Sequence, residues 1–214
     1  MPTRVLTTGL LCLLMVFGAG GCIVTSLHPF YEQSQLTPAP ELLGTWLQQD
    51  GEEVWTFTAE PERGYRLRLI DEDGLRALFE VYPFMLGDQL FLDVFPVSDQ
   101  TPGSSPYREL HTVQVHGVLR VYSTKPSLDV AALDYGWLDR QIKKAPDSLA
   151  HERIASKRIV LTADSGALQA FLREHLATDD AYGERMTLLP ATGAWSGSRQ
   201  RAKKKNPFSL DPTP

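Results

Sequence analysis

YRLRLIDEDGLRALFEVYPFMLGDQLFLDVF, residues 65–95, is the stretch on which the fold turns. In its first residues Tyr65, Leu67 and Leu69 share one face and Arg66 and Arg68 the other, the period-two pattern of a strand with one wet side. Asp71-Glu72-Asp73-Gly74 predicts a tight turn, with Gly74 available for a positive φ. Arg76–Tyr82 then pairs back as a hairpin. Gly87-Asp88 predicts a second turn into Gln89–Phe95, where Leu90, Leu92 and Val94 alternate with Phe91, Asp93 and Phe95. Alternation on both sides of tight turns describes an antiparallel meander.

Working outward, Thr45–Gln49 and Val54–Thr58 are short runs rich in aromatic and branched residues, and read as preceding strands. Residues 98–106 (SDQTPGSSP) form a polar loop, after which strands are expected at His111–Val115, Val118–Tyr122 and Leu128–Leu133. Asp134 is placed to cap a helix over 135–144 that carries Trp137, Leu138 and Ile142 on one side and stops at Pro146. Residues 151–162 suggest a hairpin about Ala155-Ser156. Asp164 opens a second helix through about Ala177, with Leu168, Phe171 and Leu172 as its apolar stripe. The expected class is α+β, mainly antiparallel β: a curved sheet or partly closed barrel with two helices in the C-terminal half packed on it.

The ends of the chain differ from its body. Arg4, an apolar run of 13 residues (5–17) and then Gly18-Ala19-Gly20-Gly21 have the form of a secretory signal, too short for a comfortable permanent span. Residues 23–40, with Pro29, Pro38 and Pro40, read as an extended tether; the apolar patch Leu27-His28-Pro29-Phe30-Tyr31 either docks on the domain or stays loose. The globular domain is expected over 41–190. Residues 191–214 carry Arg199, Arg201, Lys203, Lys204 and Lys205 with little to bury, and read as a disordered basic tail.

The 214 residues are 43% hydrophobic and 22% charged, ordinary values for a chain that buries a core, and the net charge of −5 disfavours nucleic acid as the partner. Two cysteines exclude a disulfide scaffold. His111 and His116, five apart in strand-like sequence, fall on opposite faces and do not share a metal without a bulge. His151-Glu152 lacks the second histidine of a zinc-protease signature, and Ser165-Gly166 is better explained by capping than by a hydrolase elbow. Asp71, Asp73 and Gly74 resemble the start of a calcium loop whose closing glutamate is absent. No catalytic residue, metal site or cofactor is therefore assigned.

Gly21-Cys22 changes the reading of the signal. The segment resembles the lipobox of bacterial lipoproteins, in which small residues precede a cysteine that becomes the new N-terminus; Ala19 stands where that family usually has leucine. The resemblance implies a signal peptide at 1–21, cleavage between Gly21 and Cys22, and a diacylglyceryl thioether on Cys22. Each buried methylene contributes about 0.8 kcal/mol, so two or three acyl chains hold a soluble domain to a bilayer. Cys12, the rival site, follows Leu10-Leu11, which are not small. Residue 23 is Ile and not the Asp that retains such proteins in the inner membrane, which by resemblance implies the outer membrane.

Leu43-Gly44-Thr45-Trp46 resembles the Gly-x-Trp signature on the first strand of lipocalins, and Trp55-Thr56-Phe57 follows on the next strand. That resemblance implies an eight-stranded barrel able to hold one small apolar ligand. More broadly, Cys22, Ser26–Tyr31, Leu43–Trp46, Trp55–Phe57, Leu90–Asp93, Leu161–Ala163 and Leu168–Leu172 are similar to a family of uncharacterised bacterial lipoproteins. This implies an envelope location without an activity. The expected function is a membrane-anchored, non-catalytic binding or accessory module meeting an envelope protein. The alternative is a lipocalin-like carrier of a small apolar ligand near Trp46, Trp55 and Phe57, residues that otherwise serve as core.

Overall fold

The computed structural model describes residues 24–60, 64–97, 113–154 and 158–191. In chain order its strands and helices are β1 (Thr25–Ser26), β2 (Gly44–Gln48), β3 (Val54–Glu60), β4 (Gly64–Ile70), β5 (Arg76–Leu86), β6 (Gln89–Pro96), β7 (His116–Ser123), β8 (Leu128–Ala132), α1 (Tyr135–Lys144), β9 (His151–Ile154), β10 (Arg158–Leu161), α2 (Ser165–Glu174) and β11 (Met186–Pro190). The meander of 65–95 is present as expected, in the register Leu67↔Phe79 and Val81↔Val94. Its first turn is built by Asp71, whose Oδ1 accepts from the amides of Asp73 (3.0 Å) and Leu75 (2.8 Å), while Gly74 takes φ 78°. Those two bonds account for Asp71 as a turn residue.

Eight strands close on themselves. β2 through β8 pair antiparallel in sequence order, and β11 pairs antiparallel with both β8 and β2. The sheet is therefore a complete barrel and removes its own edges along that seam. Following paired residues once around returns to β2 displaced by about 12 residues, a stagger that tilts the strands and widens the interior. β1 adds to the outside. Gly117 pairs with Val94 of β6 and with Thr25 of β1, so β1 lies on the edge of β7 that β8 uses further along. β10 runs parallel to β1, and β9 antiparallel to β10.

Two apolar cores result. One fills the barrel and includes Trp46, Phe57, Leu67, Val81, Leu92 and Leu188. The other lies between the barrel's outer face and the two helices, where Phe84 and Phe91 meet Phe30, Trp137, Leu138 and Leu168. Both helices start where the sequence predicts. Asp134 Oδ1 accepts from Trp137 N (2.5 Å) and Asp164 Oδ1 from Ala167 N (2.8 Å), each satisfying an amide that the helix itself cannot. The second helix ends earlier than expected, at Glu174.

Three differences concern the chain's connections. Residues 113–115 are not strand, and β7 begins at His116; His111 lies outside the described residues. Residues 186–190 form the closing strand, which the sequence reading did not single out. Residues 24–40, read as a tether, are built into the fold. Val24 and Phe30 are each 1% exposed, Ser165 Oγ donates to Pro29 O (2.6 Å), and Thr37 N donates to Pro83 O (3.0 Å). The patch at 27–31 docks through Phe30, because that ring has a ready apolar site between barrel and helices. Cys22, the signal segment, Gly21 and the basic tail from 192 onward lie outside the described residues.

Candidate functional site

Inward positions follow from the register and grade along the barrel axis. At one end Tyr65, Phe57, Val121, Leu128 and Leu188 are buried. Leu90, beside the β5–β6 turn at that same end, is only partly covered; at the other end so are Leu69, Phe79, Val94, Leu119 and Met186, which still pack on the inner core. The latter five sit on five different strands, all toward the end that holds the β2–β3 and β4–β5 turns. The inner lining is thus apolar, fully buried in its lower layers and only partly covered toward that end.

The closed end is made by the segment that enters β2. A short 3-10 turn at Pro40–Leu42 places Leu42, 0% exposed, against the inner core. Two hydrogen bonds hold the plug: Trp46 Nε1 donates to Leu42 O (2.8 Å), and Ala39 N donates to Tyr65 Oη (2.9 Å). Gly44 has φ 122°, a value that favours glycine and lets the chain swing from plug into strand.

Trp46, Trp55 and Phe57 are brought together. Trp46 pairs directly with Trp55 across β2 and β3, and the Trp55 and Phe57 rings lie 6.2 Å apart. All three belong to the buried inner core, Trp46 and Trp55 each 6% exposed. Trp55 is also the partner of Leu69 on β4, which is only partly covered. The Trp55 Nε1 donates to Glu53 Oε2 (2.9 Å).

A second polar arrangement was not anticipated. Asp93, 0% exposed on the outer face of β6, lies 2.7 Å from His116 Nδ1 and accepts from Phe30 N at 2.8 Å. Burial pushes its carboxyl above the usual range, against the opposing pull of His116 and the Phe30 amide. His116 also stacks near Phe95, ring centroids 4.4 Å apart. Ser26 is the cross-strand neighbour of His116, but its Oγ donates to Leu161 O (3.4 Å) and accepts from His28 N (3.1 Å). The group therefore fastens the N-terminal segment and presents no free nucleophile. The sequence signal was an aspartate inside the apolar run Leu90–Val94, on the face opposite Leu92. Of the remaining histidines, His28 is exposed, His151 Nδ1 lies 2.8 Å from Leu149 O, and His175 packs edge-on against Trp137 and Phe171.

Among the described residues no three His, Cys, Asp or Glu side chains converge as a metal site, and no helix is long and apolar enough to cross a membrane. No protein-family model, curated protein or solved structure matches the chain. The closed eight-stranded barrel is compatible with a lipocalin-like binder.

Proposed function

We propose that the protein is a non-catalytic envelope lipoprotein whose barrel takes a small chain-like apolar ligand through its partly covered end. The observation that carries this reading is that five of the six partly covered inward side chains lie toward one end of the barrel. The lipobox at Cys22 supports the membrane anchor. The filled lower layers favour a shallow seat for one chain, and they also keep the rival in view, an accessory module that meets a protein partner through its outer surface.

Titration with decanol should change the tryptophan emission. The change should be largely lost in Trp55→Phe and retained in Trp137→Phe, since Trp137 belongs to the outer core. An unchanged signal in the wild type at saturating alcohol would favour the accessory module. For the anchor, N-terminal peptide mass spectrometry of protein from membranes should find acyl mass on Cys22 and none in Cys22→Ala. An unmodified N-terminus in the wild type would remove the lipoprotein half of the proposal.

A further inference from the structure

The outer wall of the barrel carries a cationic group that the apolar interior leaves unused. On β7, Leu119 and Val121 turn inward, so Arg120 and Tyr122 stand on the outer face. The Arg120 guanidinium lies 4.7 Å from the centre of the Tyr122 ring and 5.0 Å from that of Tyr182. The Arg185 guanidinium, on the residue before β11, lies 3.9 Å from the same Tyr122 ring. Arg120 is fixed in place: its Nε donates to Gln89 Oε1 (3.0 Å) and its Nη1 to Leu176 O (2.7 Å), just past α2. Among the described residues neither guanidinium forms an ion pair. Asp129 on the neighbouring β8 accepts from Ser127 Oγ (3.1 Å), and Glu184 is exposed. Two positive charges therefore share one ring without a counter-anion.

An independent observation lies beneath them. Tyr182 is 6% exposed, and its hydroxyl is sealed from solvent with no hydrogen-bond partner among the described residues. Its other neighbours are apolar: the Phe91 ring 6.3 Å away and Leu133, its bridge partner on the strand side. Phenylalanine would serve that packing and avoid burying an unpaired hydroxyl. Burial pushes the Tyr182 phenol up to about 12, with Arg120 pulling it down and Tyr122 pushing it up, so the hydroxyl sits within the field of both and is a donor at neutral pH. From Arg185, which is exposed, through half-buried Arg120 to buried Tyr182, the group offers donors and no negative charge.

We infer that Arg120, Arg185 and Tyr182 form a binding site for a phosphate dianion on the outside of the barrel. The planar guanidinium fork matches phosphate oxygens, and two forks without a carboxylate suit a double negative charge. The ligand enters from the exposed side, past Arg185, and its deepest oxygen takes the Tyr182 hydroxyl as the partner that the fold does not supply. The site does not depend on whether the barrel interior holds a chain.

The test titrates inorganic phosphate by calorimetry into wild type, Arg185→Gln and Tyr182→Phe, above the second phosphate pKa of about 6, with chloride at equal ionic strength as the control. Phosphate should bind the wild type and chloride should not. Affinity should fall about tenfold in Arg185→Gln and about threefold in Tyr182→Phe. Without phosphate, Tyr182→Phe should melt at or above the wild type, because it removes an unpaired buried hydroxyl. Dihexanoyl phosphatidic acid, run alongside, separates the sources of the group. Binding equal to inorganic phosphate assigns the site to the bare phosphoryl group, and binding at least tenfold tighter assigns it to a lipid head. No phosphate heat above the chloride control, or an affinity unchanged in both variants, overturns the site. A Tyr182→Phe protein that melts below the wild type without phosphate shows that the hydroxyl already has its partner inside the fold, and overturns the role given to it.

Discussion

Replacing Asp93 by alanine is expected to lower the unfolding free energy by about 3–5 kcal/mol, read from denaturant melts, the range for removing one partner of a buried pair. The substitution strands two groups at once: the Phe30 amide and the His116 ring. Asp93→Asn keeps an acceptor for Phe30 and should lose less, about 1–2 kcal/mol. The two proteins also differ in their response to pH. Burial raises the folded-state pKa of Asp93 above the unfolded value near 3.9, so its carboxyl favours folding when protonated. That contribution is complete below the unfolded pKa and is lost as pH rises through the folded one. Wild type should accordingly lose stability relative to Asp93→Asn over that window. A gain there instead would mean that attraction to a protonated His116 outweighs desolvation.

Trp46→Ala should cost about 3–5 kcal/mol, the range for truncating a buried aromatic side chain. It removes a large side chain from the inner core and the donor that holds Leu42 O. Trp46→Phe restores most of the apolar contact without the donor and should recover much of the loss. Because Trp46→Phe keeps an apolar ring opposite Trp55, decanol binding should persist in it. A variant that keeps full stability yet loses decanol would place the ligand against Trp46 itself.

The strands of the meander were legible because each side chain alternates between a dry and a wet environment, and a period of two survives in the letters. The caps Asp134 and Asp164 were legible for a similar reason, since each acts on an amide three residues away. Closure of the barrel was not. It depends on β11 meeting β2, residues more than a hundred apart in sequence, and MTLLP has no alternation long enough to announce a strand. The outer core was hidden for the opposite reason. Phe84 and Phe91 are on the outside of the barrel, so a two-faced apolar strand blurs the contrast that reveals alternation. At the candidate site, Trp46, Trp55 and Phe57 could be named from sequence, but that all three turn inward to one core follows only from the register of β2 and β3. The Asp93–His116 pair needed the folded register to bring its members together.

The packing of Val24 and Phe30 has a mechanical consequence. With Cys22 acylated as proposed, Ile23 alone separates the lipid attachment from the first buried side chain, a leash of about 7 Å from Cys22 to Val24. An eighteen-residue tether could let the body roam tens of ångströms from the bilayer; this one moors it hard against the headgroups. β1, to which the leash runs, pairs with the start of β7, at the partly covered end of the barrel. The mooring point and the partly covered end of the barrel therefore share one end of the molecule, and a chain leaving the lipid would have little water to cross before reaching Leu69 and Phe79.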